Sequence, residues 1–574
     1  MAGHAASGHA AGDLACDVLV VGSGAGGLAT AITARKHGLD VIIIEKEPYF
    51  GGTTAFSGGV LWVPGNPHAV RAGLADTREA ARTYLRHEAG NAYDEAAVEA
   101  FLDEGPRMVE FFERETEVKF VLSGYPDYHP DAPGGAKGGR SVTAAPFDAR
   151  KLGREIARLR PPLETITFIG MMFNSSNEDL KHFFRATRSL TSAAYVARRL
   201  ARHFKDLAIH RRSVQITSGN ALAARLAKTA FDLGIPISTG TAAESLSVTD
   251  GRVTGAVVRD AEGERRITAR RAVVLACGGF PHDRERIAKA YPHLARGAEH
   301  LSPTPAGNTG DGIRLAEAAG GTFEIRMANA AAWMPVSRVP LGGGRTGAFP
   351  HLVDRYKPGI IAVNRHGRRF TNEANSYHDT GAAMIRDGEG APETAAWLIC
   401  DHPTIRKYGL GYAKPAPVPV GRYVRNGYLV TGRTLPDLAR AAGIDPDGLA
   451  ATVEAYNRDA ARGEDPAFGR GSTAFNRFLG DAEHRPNPNV APIAKGPFYA
   501  LKLVMGDLGT FDGLRTDTVG RVLRPDGPAI PGLYAVGNDR ASIMGGAYPG
   551  AGITLGPIMT FGFITGRHLA DEAA

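Results

Sequence analysis

The hydrophobic pattern near the start of the chain predicts a strand, a glycine turn, a helix and a second strand. Residues 18–21 form a continuous apolar run, which is typical of a strand buried on both faces. Alanine and isoleucine recur at helical spacing over 28–37, and Gly38 ends that helix. The apolar run 41–44 predicts a second buried strand that ends at Glu45. This order begins a parallel α/β sheet.

The turn between the first strand and the helix has the spacing of a dinucleotide-binding motif. Gly22 permits the tight turn, Gly24 lets the backbone approach a pyrophosphate at the positive end of the helix, and Gly27 lets helix and strand pack closely. Gly26 lies within the same turn. Glu45, at the end of the second strand, is a carboxylate placed to accept hydrogen bonds from ribose hydroxyls. Enzymes that bind NAD and enzymes that bind FAD share this motif, so it predicts a dinucleotide site without choosing between them.

The remaining pattern predicts one α/β domain interrupted by another. Strand and helix patterns return at 221–258 and 271–279, residues 333–497 are mixed and rich in loops, and strand, glycine loop and helix return after 498. We therefore expect an α/β protein whose Rossmann-like domain is interrupted by an inserted α+β catalytic domain, with the active site between them. The expected bounds are 1–332 and 498–574 for the first domain and 333–497 for the second.

Residues 156–212 have a pattern of apolar and basic residues that differs from the flanking α/β segments, and we expect a helical insertion there. An apolar patch is followed by a helix-like run whose apolar face is flanked by arginine and lysine. The patch comprises Ile166, Phe168, Ile169, Met171, Met172 and Phe173, and the face comprises Val196, Leu200, Phe204 and Leu207. Three interpretations remain open: a hairpin packed on the first domain, a patch that dips into an anionic membrane, or the mouth of a hydrophobic channel.

Composition narrows the class of protein. A chain of 574 residues is too long for one ordinary core, and its formal charge of +7 is spread along the sequence, which predicts no nucleic-acid partner. The three cysteines are far apart, so we predict neither a disulfide framework nor a metal site, and a reducing, cytoplasmic location. No apolar run approaches the roughly 18 residues that span a bilayer. The Ala, Gly and His residues of 1–12 predict a disordered tail.

Three further sequence elements indicate that the bound dinucleotide is FAD and not NAD. A second glycine, serine and threonine loop follows Glu45, a buried strand ends at Gly278, and another strand ends at Gly537. Together they resemble the FAD-binding flavoproteins of the fumarate reductase and succinate dehydrogenase superfamily, and the resemblance spans essentially the whole chain. It implies non-covalent FAD. The implied FAD-binding residues are Gly22, Gly24, Gly26, Gly27, Glu45, Lys46, Gly52, Thr53, Thr54, Ser57, Gly58, Gly59, Ala243, Gly278, Gly279, Asp311, Gly537, Asn538, Gly552, Ile553 and Leu555.

Two motifs resemble one branch of that superfamily, the 3-ketosteroid Δ1-dehydrogenases. One contains Tyr548-Pro-Gly-Ala-Gly552, and the other ends at Tyr377. The family also uses a tyrosine from an early loop, which matches Tyr128, although Tyr125 lies three residues away. The resemblance implies that Tyr548 and the Gly552 N–H hold the ketone oxygen, that Tyr377 takes the C2 proton with help from Tyr128, and that the flavin accepts the C1 hydride.

The sequence is also consistent with other reactions of the superfamily. A fumarate-type reductase needs cations for a dicarboxylate, and Arg368, Arg369, His378, His402 and Arg540 are available. Relatives also desaturate 5α-steroids at C4–C5 or ring ketones such as oxocyclohexane carboxylates. A flavoprotein without enzymatic activity is a third class. Every dehydrogenase among these alternatives needs an external electron acceptor, which the sequence does not identify.

Overall fold

The computed structural model describes residues 14–172, 182–183, 185–186, 189–391 and 393–572. The expected tail at 1–12 and Phe173 of the apolar patch lie outside these ranges. In chain order the strands are β1 (Leu14–Val21), β2 (Val41–Glu45), β3 (Val60–Trp62), β4 (Phe120–Leu122), β5 (Ser141–Ala144), β6 (Phe147–Asp148), β7 (Gln215–Ile216), β8 (Ile237–Thr239), β9 (Ala242–Thr249), β10 (Arg252–Asp260), β11 (Gly263–Leu275), β12 (Phe323–Glu324), β13 (Ala331–Gly342), β14 (Arg345–Pro350), β15 (Ile360–Val363), β16 (Ala395–Asp401), β17 (Val430–Gly432), β18 (Phe498–Thr510), β19 (Gly513–Leu514), β20 (Arg521–Leu523) and β21 (Ala529–Ala535).

The helices alternate with these strands. They are α1 (Ala25–Lys36), α2 (Pro67–Arg71), α3 (Arg78–Ala89), α4 (Glu95–Glu115), α5 (Leu190–His210), α6 (Ser218–Asp232), α7 (Arg284–Ala290), α8 (Asp311–Ala318), α9 (Tyr377–Asp387), α10 (His402–Tyr408), α11 (Gly421–Arg425), α12 (Leu435–Ala442), α13 (Pro446–Ala460), α14 (Ala474–Leu479) and α15 (Leu555–Asp571). Short 3-10 turns lie at Thr53–Phe56, Gly90–Ala92, Ala149–Arg158, Glu164–Ile166, Leu294–Arg296 and Gly537–Asp539. Within the described residues no helix is both long and apolar enough to cross a bilayer.

The larger sheet carries the predicted nucleotide-binding unit. Its strand order is β20-β21-β11-β1-β2-β8, with parallel pairing from β21 to β8. Strand β1 lies in the middle, and its residues from Val18 to Val21 are buried, which explains their uninterrupted apolar character. Helix α1 packs against the C-terminal helix α15. The predicted α/β fold is therefore confirmed, and the glycine turn lies at the carboxyl edge of the central strand.

The second sheet is antiparallel and has the order β14-β13-β18-β16-β15, with β17 also paired to β18. It places Phe498–Thr510 at its centre, although the pattern assigned residues from 498 onward to the first domain. The apolar runs of β18 and β21 look alike in sequence, and only their pairing assigns β18 to the second sheet. The expected catalytic domain therefore shares its central strand with the segment that leads back to the first sheet.

The expected insertion contains one long helix among its described residues. In α5 only Ser192 and His203 are buried, and the His203 ring nitrogen Nε2 lies 2.8 Å from the Ile169 carbonyl oxygen. Large apolar side chains remain exposed on α5 and on the preceding turn. Their exposed fractions are 57% for Ile169, 91% for Leu190, 50% for Phe204 and 61% for Ile209. Helix α5 thus packs on the turn at 168–172 and keeps part of its apolar surface in solvent.

Candidate active site

A cavity opens at the carboxyl edge of β1, and most of the predicted cofactor residues line it. They come from the glycine turn, the end of β2, the second glycine loop and two distant strand ends. The predicted residues in its wall are Gly22, Gly24, Gly26, Glu45, Lys46, Gly52, Thr53, Thr54, Ala243, Gly278, Asp311, Gly537 and Asn538. Segments far apart in sequence therefore converge on one groove.

Two kinds of constraint explain the glycines of the first turn. A Cβ on Gly22 would come within 2.1 Å of the Ala276 carbonyl oxygen, and a Cβ on Gly27 equally close to the Gly22 carbonyl oxygen. These two positions are required by the packing of the protein itself. A Cβ on Gly24 would meet nothing nearer than the Thr54 hydroxyl at 3.9 Å. The space in front of Gly24 is therefore open, which fits a bound pyrophosphate.

Polar groups at the end of β2 are held in position. The Glu45 carboxylate accepts hydrogen bonds from the Ser23 hydroxyl at 2.6 Å and from the Ser23 amide at 3.1 Å. Lys46 donates to Thr309 at 2.8 Å and forms an ion pair with Asp311, which opens α8. This end of the groove is thus bordered by an oriented acid, which the sequence predicts to bind ribose, and by a paired lysine that links the end of β2 to α8.

A second cavity continues the groove toward the second sheet. The two cavities share Gly537, Asn538 and Ile558, and the second is also lined by Ile553 and Phe511. The groove therefore extends from the end of β2 to the start of α15. FAD is a long dinucleotide with its flavin ring at one end, so a continuous groove of this kind fits it.

Seven predicted cofactor residues lie outside the walls of both cavities. Two of them are constrained by neighbouring protein atoms, since a Cβ on Gly59 would reach 2.3 Å from the Ser218 carbonyl carbon and one on Gly279 would reach 2.2 Å from the Thr510 hydroxyl. The seven are Gly27, Ser57, Gly58, Gly59, Gly279, Gly552 and Leu555. Their assignment to the cofactor stays a prediction.

The sequence did not indicate several residues of the groove. Arg160 and Asn308 line it, and the Asn308 amide donates to the Thr53 hydroxyl at 2.9 Å. Arg540, which the sequence offered only as a cation for a dicarboxylate, lines the second part of the groove. Arg160 comes from the expected insertion, and Asn308 directly precedes the loop that opens α8. Neither stands in a recognisable motif, so only the tertiary arrangement identifies them. Arg540 follows the predicted Gly537-Asn538 element by two residues, and that proximity was the available signal.

The three predicted tyrosines meet at the far end of the groove, although they are far apart in sequence. Tyr128 lies in the loop between β4 and β5, Tyr377 begins α9, and Tyr548 lies in the loop before α15. The Tyr128 hydroxyl donates to the Tyr377 hydroxyl at 3.3 Å. The Tyr548 ring stacks on Tyr128 with centroids 5.5 Å apart and lies 5.0 Å from the Tyr377 ring. Phe511 of the second cavity is 6.2 Å from Tyr548, so this cluster adjoins the groove.

The structure distinguishes Tyr128 from its neighbour Tyr125. Tyr125 packs on Phe478, with ring centroids 4.8 Å apart. Tyr128 is fixed because its amide donates to the Pro549 carbonyl at 2.8 Å. Tyr128, the residue that the motif match named, therefore lies in the cluster with Tyr377 and Tyr548.

Burial controls the ionisation of this cluster. The tyrosines are at most 7% exposed, and burial raises the pKa of Tyr128 and Tyr377 well above the ordinary value of a phenol. Burial also raises the pKa of Tyr548. All three side chains are therefore neutral phenols at neutral pH in this state.

A charged clamp joins the segments that carry Tyr128 and Tyr377. His129 lies between two carboxylates, with Nδ1 2.8 Å from Glu88 and Nε2 3.0 Å from Asp379. Burial acts to lower the pKa of His129, but hydrogen bonds to Asp379 and Glu88 outweigh it and raise that pKa to about 10. The protonated imidazole therefore holds the early loop against the first turn of α9.

Of the cations considered for a dicarboxylate, Arg369 and His402 are engaged elsewhere, whereas the ring of His378 lies 5.9 Å from that of Tyr548. Arg369 binds both Glu373 and Asp465, each by hydrogen bonds of 2.7 to 2.8 Å. His378 Nδ1 accepts the Trp333 amide at 3.1 Å, and the ring of His402 bonds the Tyr499 hydroxyl. Arg369 is thus part of a buried structural network, and the tyrosine cluster has phenols where an anionic substrate requires positive charge.

Comparisons with known proteins agree with this arrangement. The family model described as an FAD binding domain matches residues 17–555. The chain is 46% identical to 4-oxocyclohex-2-ene-1-carboxylate 5-dehydrogenase of Sinomonas cyclohexanicum over 98% of this chain and 95% of that protein. It is 39% identical to the 3-oxosteroid 1-dehydrogenase of Mycobacterium tuberculosis over 97% of this chain and 98% of that protein.

A solved structure is also similar over nearly the whole length. It is the 3-ketosteroid Δ1-dehydrogenase of Sterolibacterium denitrificans in complex with 1,4-androstadiene-3,17-dione. The TM-score is 0.88 at 36% identity, with 97% of this chain and 99% of that one covered. The chain therefore belongs to the FAD binding domain family of flavoproteins, and it is an FAD-dependent oxidoreductase that acts on CH–CH bonds.

Proposed function

We propose that this flavoenzyme desaturates 3-ketosteroids between C1 and C2. The observation that carries the proposal is the cluster of Tyr128, Tyr377 and Tyr548 at the end of the cofactor groove, with the first two hydroxyls 3.3 Å apart. Removal of hydrogen beside a ring ketone needs a polarised ketone oxygen, a base for the C2 proton and a hydride acceptor for C1. This cluster offers the first two without any charged side chain.

Tyr548 and Gly552 are the proposed ligands of the ketone oxygen. The two residues belong to one loop, and Gly552 adopts φ +95°. A Cβ at Gly552 would lie 2.5 Å from the Val60 carbonyl oxygen, so only glycine fits there. Within the described residues the Gly552 amide donates no hydrogen bond. A phenol and an unengaged N–H on one rigid loop are suited to stabilise the enolate oxygen that forms as C2 loses its proton.

Tyr377 is the proposed base. Because a neutral phenol cannot accept a proton, Tyr377 must first lose its own, and Tyr128 is the adjacent hydroxyl that can stabilise the resulting phenolate by donating to it. Bound FAD supplies the acceptor for the C1 hydride. Since burial raises the Tyr377 pKa, the reaction should become faster as the pH rises from neutral.

The surroundings of the cluster favour an apolar substrate. The tyrosines belong to one buried hydrophobic cluster that also contains Trp62, Met334 and Phe475, with Tyr125 packed against it. A steroid presents a large apolar surface with few polar atoms, which such walls can bury. The ketone end of the substrate then needs only the two hydrogen-bond donors of the Tyr548 loop.

A second candidate is desaturation of a 4-oxocyclohexane or 4-oxocyclohexene carboxylate. The specific support is the 46% identity to a dehydrogenase of this kind, compared with 39% for the steroid enzyme of Mycobacterium tuberculosis. The same tyrosines would serve a small ring ketone, because the chemistry beside the carbonyl is the same. A carboxylate would in addition need a cation near the cluster, which the steroid does not.

Anaerobic mixing tests both candidates directly. The purified FAD enzyme is mixed with 3-ketosteroids, with 4-oxocyclohexanecarboxylate, and with no substrate, while the flavin absorbance is followed. The proposal expects rapid bleaching by a 3-ketosteroid and formation of the 1,2-unsaturated product. Bleaching by the carboxylate alone would replace the first candidate by the second, and oxidation of a reduced dye by fumarate would indicate a reductase instead.

We also propose that helix α5 contacts an anionic membrane surface. The exposed apolar side chains of Ile169, Leu190, Phe204 and Ile209 support this, together with the exposed basic residues Arg198, Arg202 and Lys205 on the same helix. A steroid dissolves poorly in water, so an enzyme at a lipid surface would have direct access to it.

A further inference from the structure

Arg540 is a buried cation without an ion-pair partner among the described residues. Its exposed fraction is 7%, and its Nη1 atom donates no hydrogen bond within the described part of the chain. Asp94 and Asp517 act on it only through longer-range attraction. Burial lowers its pKa to about 10, so it still carries its charge at neutral pH. A buried unpaired charge is costly, and such groups are retained where a ligand completes them.

The position of Arg540 indicates what that ligand is. It lines the second cavity together with the predicted cofactor residues Asn538 and Ile553. The guanidinium lies 3.4 Å from the centroid of the Phe561 ring on α15, which holds it in place. Thr510, in the same cavity wall, also has a buried hydroxyl with no described partner. Two residues that each carry an unsatisfied buried polar atom therefore line the same part of the groove.

The backbone before Arg540 is fixed independently of its side chain. The neighbouring Asp539 carboxylate accepts hydrogen bonds from the amides of Cys277 and Gly279, the latter at 3.0 Å. The loop is thereby tied to the end of β11. Hydrogen bonding therefore fixes this loop without any hydrogen bond from the Arg540 side chain among the described residues, which leaves its charge available for a group in the cavity.

We propose that Arg540 is the charge partner of the flavin ring and stabilises its reduced, anionic form. In the reaction the C2 proton goes to a protein base and the C1 hydride adds to flavin N5. A hydride carries one proton and two electrons, a net charge of −1, so bound flavin that accepted it without a further proton would be anionic, with the charge on the N1 and C2-carbonyl region of its ring. A nearby guanidinium stabilises that charge and raises the reduction potential. This inference requires FAD binding but does not depend on which ketone is the substrate.

The test measures the flavin and needs no substrate, so its failure would leave the proposed reaction untouched. The holoenzyme and its Arg540→Met and Arg540→Lys variants are reduced by dye-coupled titration, and sulfite binding to flavin N5 is measured in parallel. Arg540→Met should lower the preference for reduced over oxidised flavin at least tenfold, about 30 mV for a two-electron couple. Sulfite, whose adduct is also anionic, should bind at least tenfold more weakly. Arg540→Lys should keep most of the reduction potential and most of the affinity for sulfite.

Arg515→Met is the matched control, because it removes a half-buried arginine that lines neither cavity. It should leave the potential unchanged. An Arg540→Met enzyme with full FAD content and the potential of the unaltered protein would overturn the proposal. An Arg540→Met enzyme with an unchanged potential and a raised KM for 4-oxocyclohexanecarboxylate would also overturn it, because Arg540 would then bind the substrate. If Arg540→Met does not fold, the absorbance spectrum of the reduced unaltered enzyme tests the inference instead. A neutral reduced flavin at mildly acidic pH would contradict it.

Discussion

Buried phenols take the place of charged groups where the cofactor groove ends. Their effects should be separable, because Tyr548 is proposed to bind the ketone oxygen and Tyr377 to remove the proton. Tyr548→Phe removes one donor and should lower the rate about 10²-fold, or about 3 kcal/mol. Tyr377→Phe should cost at least as much, with the FAD content of both variants unchanged. The measurement is single-turnover flavin reduction by substrate.

Tyr125→Phe is the matched control for these variants, since Tyr125 lies three residues from Tyr128 and packs on Phe478 instead. It should keep nearly the rate of the unaltered enzyme. Near-normal turnover of Tyr377→Phe on the true substrate would mean that another residue is the base.

Gly24 should be essential for the cofactor and not for the fold. The protein leaves 3.9 Å between a Cβ at this position and the nearest atom, so a valine there would collide with the bound pyrophosphate rather than with the chain. Gly24→Val should be purified folded and colourless, as measured by absorbance and circular dichroism. Gly421→Val, in a half-exposed helix with ordinary backbone angles, should retain FAD. Full flavin occupancy in Gly24→Val would contradict the pyrophosphate assignment.

At the scale of elements, the site depends on how the early loop is held against helix α9. His129 supplies that link through Glu88 and Asp379. Its pKa is raised from about 6.5 in the unfolded chain to about 10 in the folded protein. The folded state therefore binds the extra proton over this interval, so the stabilisation is complete below about pH 6.5 and is lost as pH rises through about 10.

His129→Asn should remove this part of the pH dependence of unfolding. It should also lower kcat more than it raises KM, because the tyrosines would be positioned less well while the apolar walls remain. Urea unfolding at neutral and alkaline pH, with steady-state kinetics, measures both. His87→Asn, exposed on the helix that carries Glu88, is the control. An unchanged kcat in His129→Asn would show that the clamp does not position the tyrosines.

At the scale of the whole molecule, the exposed apolar surface of α5 should bind anionic vesicles. Flotation with anionic liposomes should recover the protein at low salt and lose it at high salt. Ile169→Ser with Phe204→Ser should abolish flotation, whereas Val70→Ser with Val248→Ser, which removes exposed apolar side chains elsewhere, should not. Met171 and Met172 are unsuitable targets because they are 3% and 5% exposed. A protein that stays at the bottom of the gradient at low salt would leave packing as the role of α5.

FAD should be released when the whole protein is denatured. The loop at 51–59 contains no His or Cys to form a covalent link, and His68, which follows it in the sequence, is paired with Glu113 at 2.9 Å and lines neither cavity. Acid precipitation should therefore give a yellow supernatant and a colourless pellet. A yellow pellet would show a covalent flavin.

The sequence by itself determined the parts of this protein that are local. The apolar run before Gly22 and the spacing of the glycines predicted the strand, the turn and the helix, because a buried parallel strand and a pyrophosphate site impose their own residue types. FAD was likewise predicted from short motifs and is confirmed by the family match. The tyrosines were named from their motifs, and their catalytic roles stay predictions.

Tertiary structure decided what depends on segments far apart in the chain. It brought Tyr128, which the motif match had named, to the Tyr377 hydroxyl, placed Phe498–Thr510 in the second sheet and left the face of α5 partly in solvent. It also revealed the clamp at His129 and the charge of Arg540, which has no ion-pair partner among the described residues; neither feature is visible in a local sequence pattern. Strand pairing, burial and ion pairing join residues that can be hundreds of positions apart, so periodicity and spacing along the chain contain no record of them.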